Sequence, residues 1–594
     1  MAESKARSIN KSFNPNGTVN SNAVTPPPTA AEPNPAVIQT LAVYDSLGLL
    51  PTTGLTVGNQ AYVSSSQRLY LSNGSGWYNV ALINATPSLS LSASGTIALA
   101  NDGTATVITM TATDSDNADA NLVLTVESGG DFFKMATLSQ DSSVFTITPR
   151  SEDSAVSLGY DGTSTLTFKA SDGVSFASEQ NTFTLAFTPD WTGTVTQSVL
   201  QSSDLEAADN YGAAVAISAD GTHAIGAAPY EHATGTNRGA VYSFTKSGST
   251  WSQQAKIIAS DAGDNDNFGE DVDISDDGTY LVVGATHDDD TANNSGAAYV
   301  FIRDGASWSQ QAKIKATSPI LNDNFGFSVS ISGDGNYVAV SHKNEGSGTS
   351  QDGAVEIFVR SGTSWSFQQK IQPSDIAASD FFGSAQGQQH GGVKLNEDGT
   401  YLIAGSSGDD TTQSGAGAAY IFTRSDTTWS QQAKIVASDP TENKNFGRVV
   451  SISNDGVYAI CGAYRDTTDA GAAYVFVRSG SSWSQQAKLV ASDAATNAQF
   501  AYVVDINSAG TIAAVAAWKR VGAGSLTNAG AVYVFSRDGS SWTEDEIIVS
   551  STLAAFDTFG SSVAITGDGN KVIVGAPGDD DGGDASGQVF IYEV

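Results

Sequence analysis

Cysteine is all but missing from this 594-residue chain: Cys461 stands alone, so no intrachain disulfide can form. Basic residues are scarce, with 28 Lys and Arg against 63 Asp and Glu, a formal charge of -35. Such a surface repels phosphate backbones and anionic bilayers, which argues against nucleic-acid partners. No run of about 18 apolar residues occurs, so membrane insertion is not expected. The first 22 residues lack the apolar core of a secretory leader, and no signal peptide is predicted. Histidine occurs only five times, without HxH or HExxH spacing, and no GxSxG elbow or phosphate-cradling loop stands out. The expectation is a protein that is not an enzyme.

What is present is repetition. An aromatic-glycine pair recurs at Tyr211-Gly212, Phe268-Gly269, Phe325-Gly326, Phe382-Gly383, Phe446-Gly447 and Phe559-Gly560, with Phe500-Ala501 as a degenerate copy. Successive copies are 57, 57, 57, 64, 54 and 59 residues apart. A period of about 50–60 residues filled with short strands marks propeller blades. The copy from Phe268 reads as four strands: 271–274, an Asp277-Gly278 turn, 280–283, then 298–302 and 310–314. The array ends after a third strand at 588–592, and the missing fourth is supplied by 195–202, which closes the ring and removes both sheet edges. Cys461 falls in a strand where other copies carry Val or Ala, as a buried small hydrophobe would.

The fold class expected is all-β: a seven-bladed β-propeller over 191–594, preceded by an immunoglobulin- or cadherin-like sandwich over 86–190. A small β module spans 37–85, and a proline-rich extended arm spans 1–36. Trp251, Trp308, Trp365, Trp429, Trp483 and Trp542 recur once per copy, which assigns them to blade packing rather than to one ligand. Trp518 lies outside the pattern and is the candidate ligand contact.

The Phe-Gly pairs, with Val574-Gly575-Ala576-Pro577 and Gly587-Gln588-Val589-Phe590-Ile591-Tyr592, resemble the integrin-α-type FG-GAP propeller repeat. The resemblance implies Ca²⁺ in blade loops, and the matching oxygen-bearing residues are Asp579, Asp581 and Asp584, then Asp288, Asp289, Asp290 and Asn293. Solvated acidic loops are the competing explanation. The stem Ser536 to Trp542 also resembles a sialidase Asp box, but Arg303, Arg360, Arg424, Arg478 and Arg537 fall at one site in successive copies and cannot converge on one substrate.

Residues 50–84 resemble short modules of tailed-bacteriophage structural proteins. That resemblance implies a virion protein, assembled in the host cytoplasm and needing no leader. Residues 1–85 would bind other virion proteins as part of a tail, fibre or capsid appendage. The propeller loops would contact a host-surface glycan or protein, and a homo-oligomer is compatible with this arrangement. A bacterial integrin-like adhesin is the alternative, and a polysaccharide-degrading hydrolase the third.

Overall fold

The computed structural model describes residues 42–594 apart from 66–67, 81–85, 94, 99–104, 115–121, 129–131, 133–135, 150–162, 173–174, 185–188, 233–234, 346–350, 385–390, 523–524 and 553. The arm expected over 1–36 lies outside the described residues. The chain divides into two compact units, 1–187 and 188–594.

In the first unit, strands Ala42–Tyr44, Val57–Val63, Arg68–Asn73 and Trp77–Val80 form one sheet in that order. Its core is small, Leu50, Ala61, Val63 and Tyr70 with Tyr44 and Trp77 packed against them, and Trp77 Nε1 donates to Pro51 O at 2.7 Å. The opening strand was not legible: it is three residues long, largely exposed, and paired in parallel to Ala61–Val63. Two further four-stranded sheets follow. One contains Ser88–Leu91, Thr106–Thr113, Ala136–Asp141 and Val144–Pro149; the other contains Gly95–Ala98, Val123–Ser128, Thr163–Ser171 and Phe176–Thr184. Period-two alternation sends Ile108, Met110, Phe145, Ile147, Leu166, Phe168 and Phe183 into one shared core.

The second unit is a ring of seven four-stranded antiparallel sheets. Blades 1 to 6 run from Val215 to Ile257, Phe268 to Ile314, Val329 to Ile371, Val393 to Ile435, Val450 to Leu489 and Phe500 to Ile548. Blade 7 takes Ser562–Ile565, Lys571–Ala576 and Gln588–Glu593, and its outermost strand is Thr196–Leu200, paired from Thr196 opposite Glu593 to Leu200 opposite Val589. The expected closure is therefore observed. Each second strand is buried almost throughout, as continuous apolar runs such as Tyr280–Ala285 require.

The junctions explain the repeated pair. Phe325, opening blade 3, bridges to Gly296 of blade 2, and its successor Gly326 has φ +91°. A Cβ there would sit 2.4 Å from Ala297 O, so glycine is demanded by both conformation and space. In the degenerate copy Ala501 keeps the left-handed backbone at φ +63°, which costs on the order of 1 kcal/mol.

The first strands of the blades line an axial channel of about 150 Å³. Blade-to-blade hydrogen bonds run round it: Asp271 Oδ2 accepts from Val329 N at 2.8 Å, Asp273 Oδ2 from Ile331 N at 2.9 Å, and Asp505 Oδ2 from Ile565 N at 3.0 Å. Cys461 is fully buried in blade 5, and burial pushes its thiol pKa up, away from reactivity.

Candidate functional site

Four blades carry the same charge clamp where the second strand turns into the third. A tyrosine on the third strand pairs across the sheet with a lysine on the fourth: Tyr242 with Lys256, Tyr299 with Lys313, Tyr420 with Lys434, and Tyr474 with Lys488. The ammonium lies 5.2 to 5.6 Å from the ring centre in each. It also neutralises the loop acids. Lys313 Nζ is 2.6 Å from Asp261 Oδ2, 2.6 Å from Asp288 Oδ2 and 2.5 Å from Asp290 Oδ2, while the Tyr299 hydroxyl donates to Asp288 at 2.8 Å.

This places one set of calcium candidates. Asp261, Asp288 and Asp290 each bring an oxygen within 4.8 Å of the others, but Lys313 sits among them. A hard cation would have to displace an ammonium already held by three carboxylates, so this set does not fit Ca²⁺. Asp289 instead accepts from Asn294 N at 2.6 Å, and Asn293 is exposed with its carbonyl accepting from Asn322 N.

Blade 7 differs. Val199 stands opposite Phe590 where the clamps have lysine opposite tyrosine, so both the ammonium and the hydroxyl are gone. Asp579 is nevertheless buried, and its carboxyl is pushed up to about 6 by burial and by the charges of Asp557, Asp581 and Asp580. Asp581 and Asp584 are exposed; Asp581 N donates to Asp579 Oδ1 at 3.1 Å, and the Asp584 carbonyl accepts from Ala208 N. Among the described residues three converging carboxylates are not found here, nor any ion pair to Asp579 or Asp581, and the donors are all oxygen, which suits a hard cation.

The recurrent arginines and tryptophans are architectural. Arg424 Nε donates to its own turn at Gly399 O (2.7 Å), and its guanidinium lies 4.1 Å from the Tyr337 ring of the preceding blade. Arg360, Arg478 and Arg537 repeat both contacts. Trp365, Trp429, Trp483 and Trp542 each donate Nε1 to a glutamine of the blade before, at 2.6 to 2.9 Å.

Trp518 belongs to something else. It follows the second strand of blade 6 (Ile512–Ala517), is half-buried, and lies 4.8 Å from Tyr502 with planes at 33°. Its Nε1 donates to Gln499 Oε1 at 2.8 Å, and Lys519 Nζ is 4.6 Å from its ring centre. Next to Tyr502, Arg448 is only 4% exposed, its guanidinium held between the rings of Tyr502 (4.2 Å) and Tyr464 (4.5 Å). Among the described residues Arg448 Nε and Nη1 have no hydrogen-bond partner, and the exposed Arg465 lies 5.3 Å from the Tyr464 ring. Sequence reasoning picked out Trp518 but missed Arg448, Tyr464 and Tyr502. The available signal was that the residue after Phe-Gly varies, from Ala213 through Glu270 to Arg448, while its neighbours repeat.

The FG-GAP repeat family model matches residues 194–244, 251–301, 308–358, 365–422, 429–476, 483–535 and 542–592, more than half of the chain. No curated protein sequence matches it. Among solved structures it is similar to Kuenenia stuttgartiensis hydrazine synthase, at 13% identity and TM-score 0.42, over 64% of this chain and 95% of that one. It is likewise similar to oligogalacturonate lyase from Vibrio parahaemolyticus, at 10% identity and TM-score 0.40, over 68% and 97%. Likeness at this level carries no argument about activity.

Proposed function

Because the chain belongs to the FG-GAP repeat family, we propose that it is a non-enzymatic display protein whose propeller recognises an anionic glycan on a host-cell surface. The observation that carries this reading is Arg448, a buried guanidinium between two tyrosines whose Nε and Nη1 have no partner among the described residues, beside a half-exposed Trp518. Aromatic faces suit sugar rings, while Arg448, Arg465 and Lys519 offer positive charge in an otherwise acidic chain. The recurrent lysines and arginines are spent on the blades themselves, so recognition falls to the loops that do not repeat.

We place this propeller on a phage particle, as a tail, fibre or capsid appendage held by residues 1–85. Support for the particle comes from the sequence resemblance of residues 50–84. The reading also gives Ca²⁺ a structural place in blade 7, where Asp579 and Asp581 would hold it.

The test is titration of the full chain with a polyuronate and with a neutral glucan of equal length. Selective, salt-sensitive binding of the polyuronate is expected, weakened about tenfold or more by Trp518→Ala or Lys519→Glu. Equal affinity for both polymers, or none for either, would refute it. For the particle, a chain lacking residues 1–85 should no longer incorporate into virions; retained incorporation would contradict the anchor.

A further inference from the structure

Blade 3 breaks the clamp pattern in a chemically specific way. The tyrosine position is Glu356, opposite Lys370, and the last residue of the second strand Tyr337–His342 is a histidine where blades 1, 2, 5, 6 and 7 have alanine. The result gathers an imidazole with three carboxylates. His342 Nδ1 lies 2.8 Å from Asp323 Oδ2 and 3.3 Å from Glu345 Oε2, and His342 Nε2 lies 3.4 Å from Glu356 Oε1. His342, Asp323 and Glu356 are all fully buried. Glu345 is 19% exposed, and Lys370 Nζ pairs with its Oε2 at 2.5 Å.

We propose that His342, Asp323 and Glu345 form a binding site for a divalent transition-metal ion such as Zn²⁺, Mn²⁺ or Co²⁺. Three observations carry it. First, the three ligand atoms lie within 4.8 Å of one another, with two edges of 2.8 and 3.3 Å. Donors at about 2.1 Å from one metal stand roughly 3.0–3.4 Å apart in octahedral or tetrahedral geometry. Second, Asp323 is 0% exposed, and among the described residues its Oδ1 has no hydrogen-bond partner, although the equivalent Asp266, Asp380 and Asp557 each accept an amide three residues earlier. The Asp323 carboxylate has turned from that turn-capping role towards His342.

Third, an outer shell is within reach. With Nδ1 on the metal, Nε2–H faces Glu356 Oε1 at 3.4 Å, and Glu356 Oε2 accepts from Thr317 N at 3.1 Å, so a small shift would complete the carboxylate–histidine–metal arrangement. Lys370 must leave Glu345 Oε2 for a metal to bind there, one ion pair against the three that hold Lys313 in blade 2. A nitrogen donor separates this site from the all-oxygen loop of blade 7 and selects transition metals over Ca²⁺. Entry is past Glu345, the one ligand that reaches solvent.

The experiment uses the full chain, stripped with a chelator and titrated with Zn²⁺, Mn²⁺ and Co²⁺. Expected are one equivalent bound, a raised melting temperature, and visible Co²⁺ absorption. Glu345→Gln, at a partly exposed position, should keep the fold and weaken affinity at least about tenfold. His342→Gln should abolish the Co²⁺ spectrum if it folds, and Asp579→Asn should leave binding intact. Absence of uptake at millimolar metal would overturn the proposal. So would uptake unchanged in Glu345→Gln, or uptake lost in Asp579→Asn.

Discussion

Lys394 Nζ in blade 4 donates to Asp273 Oδ1 in blade 2 at 2.9 Å, spanning the axial channel instead of bonding to a neighbouring blade. Asp273 also receives Ser330 Oγ and Ile331 N from blade 3, and Asp505 of blade 6 adds its field at the same ammonium, holding Lys394 well above its ordinary pKa. One lysine therefore compensates carboxylates from opposite sides of the ring.

Lys394→Met should lower the stability of the propeller by about 2 kcal/mol, because it leaves Asp273 and Asp505 without a counter-charge. Adding Asp273→Asn to Lys394→Met should recover a good part of that loss, a coupling that separate packing defects would not show. Calorimetry of the full chain, following the transition of the propeller, reads both.

Asp271 sets a pH dependence of opposite sign to ordinary acid unfolding. Burial pushes its carboxyl up to about 7, the Val329 amide opposing and Asp273 adding to the rise. The unfolded value is about 3.9, so between roughly pH 4 and 7 the folded state holds the extra proton. Its contribution is complete below about pH 4 and is lost as pH rises through 7, at no more than about 1.4 kcal/mol per pH unit. Asp271→Asn should therefore flatten the fall in melting temperature between pH 5 and 8 and exceed the parent above pH 8. A parallel shift at all pH values would show that this carboxyl does not titrate there.

Trp429 tests whether the repeated tryptophans pack or bind. It is 3% exposed, with Nε1 on Gln368 and its backbone N donating to Gln369 at 2.8 Å. Trp429→Ala should cost about 3–5 kcal/mol by cavity formation. The half-buried Trp542 should cost less when removed in the same way, and neither change should alter polyuronate affinity in molecules that remain folded.

The ring was legible because its determinants are local and repeated. Phe-Gly and Asp-Gly spacing fix the blade length, and the lone strand Thr196–Leu200 answers the missing strand after Glu593. The clamps were not read, although Lys256, Lys313, Lys434 and Lys488 recur in a chain poor in lysine. Their partners come from three places in sequence: Lys313 meets Asp261 from before the blade, Asp288 from a loop, and Tyr299 across the sheet. An acidic loop looks the same in one dimension whether or not an ammonium fills it. Arg448 was hidden for a related reason, since Tyr464 and Tyr502 flank it only after two blades are side by side.

That ambiguity makes Val199 the most informative position in blade 7. It is 45% exposed and occupies, opposite Phe590, the register that Lys313 holds opposite Tyr299. In the parent chain, Ca²⁺ should raise the melting temperature by relieving repulsion around Asp579, and Asp579→Asn should remove most of that response. Val199→Lys should install the ammonium that the other blades already contain, adding about 1 kcal/mol and abolishing the Ca²⁺ response at once. If Val199→Lys stabilises while the Ca²⁺ response persists, the ion lies elsewhere than among Asp557, Asp579 and Asp581. If the parent shows no response, the loop is a solvated acidic surface, and the partial protonation of Asp579 near pH 6 alone relieves its charge.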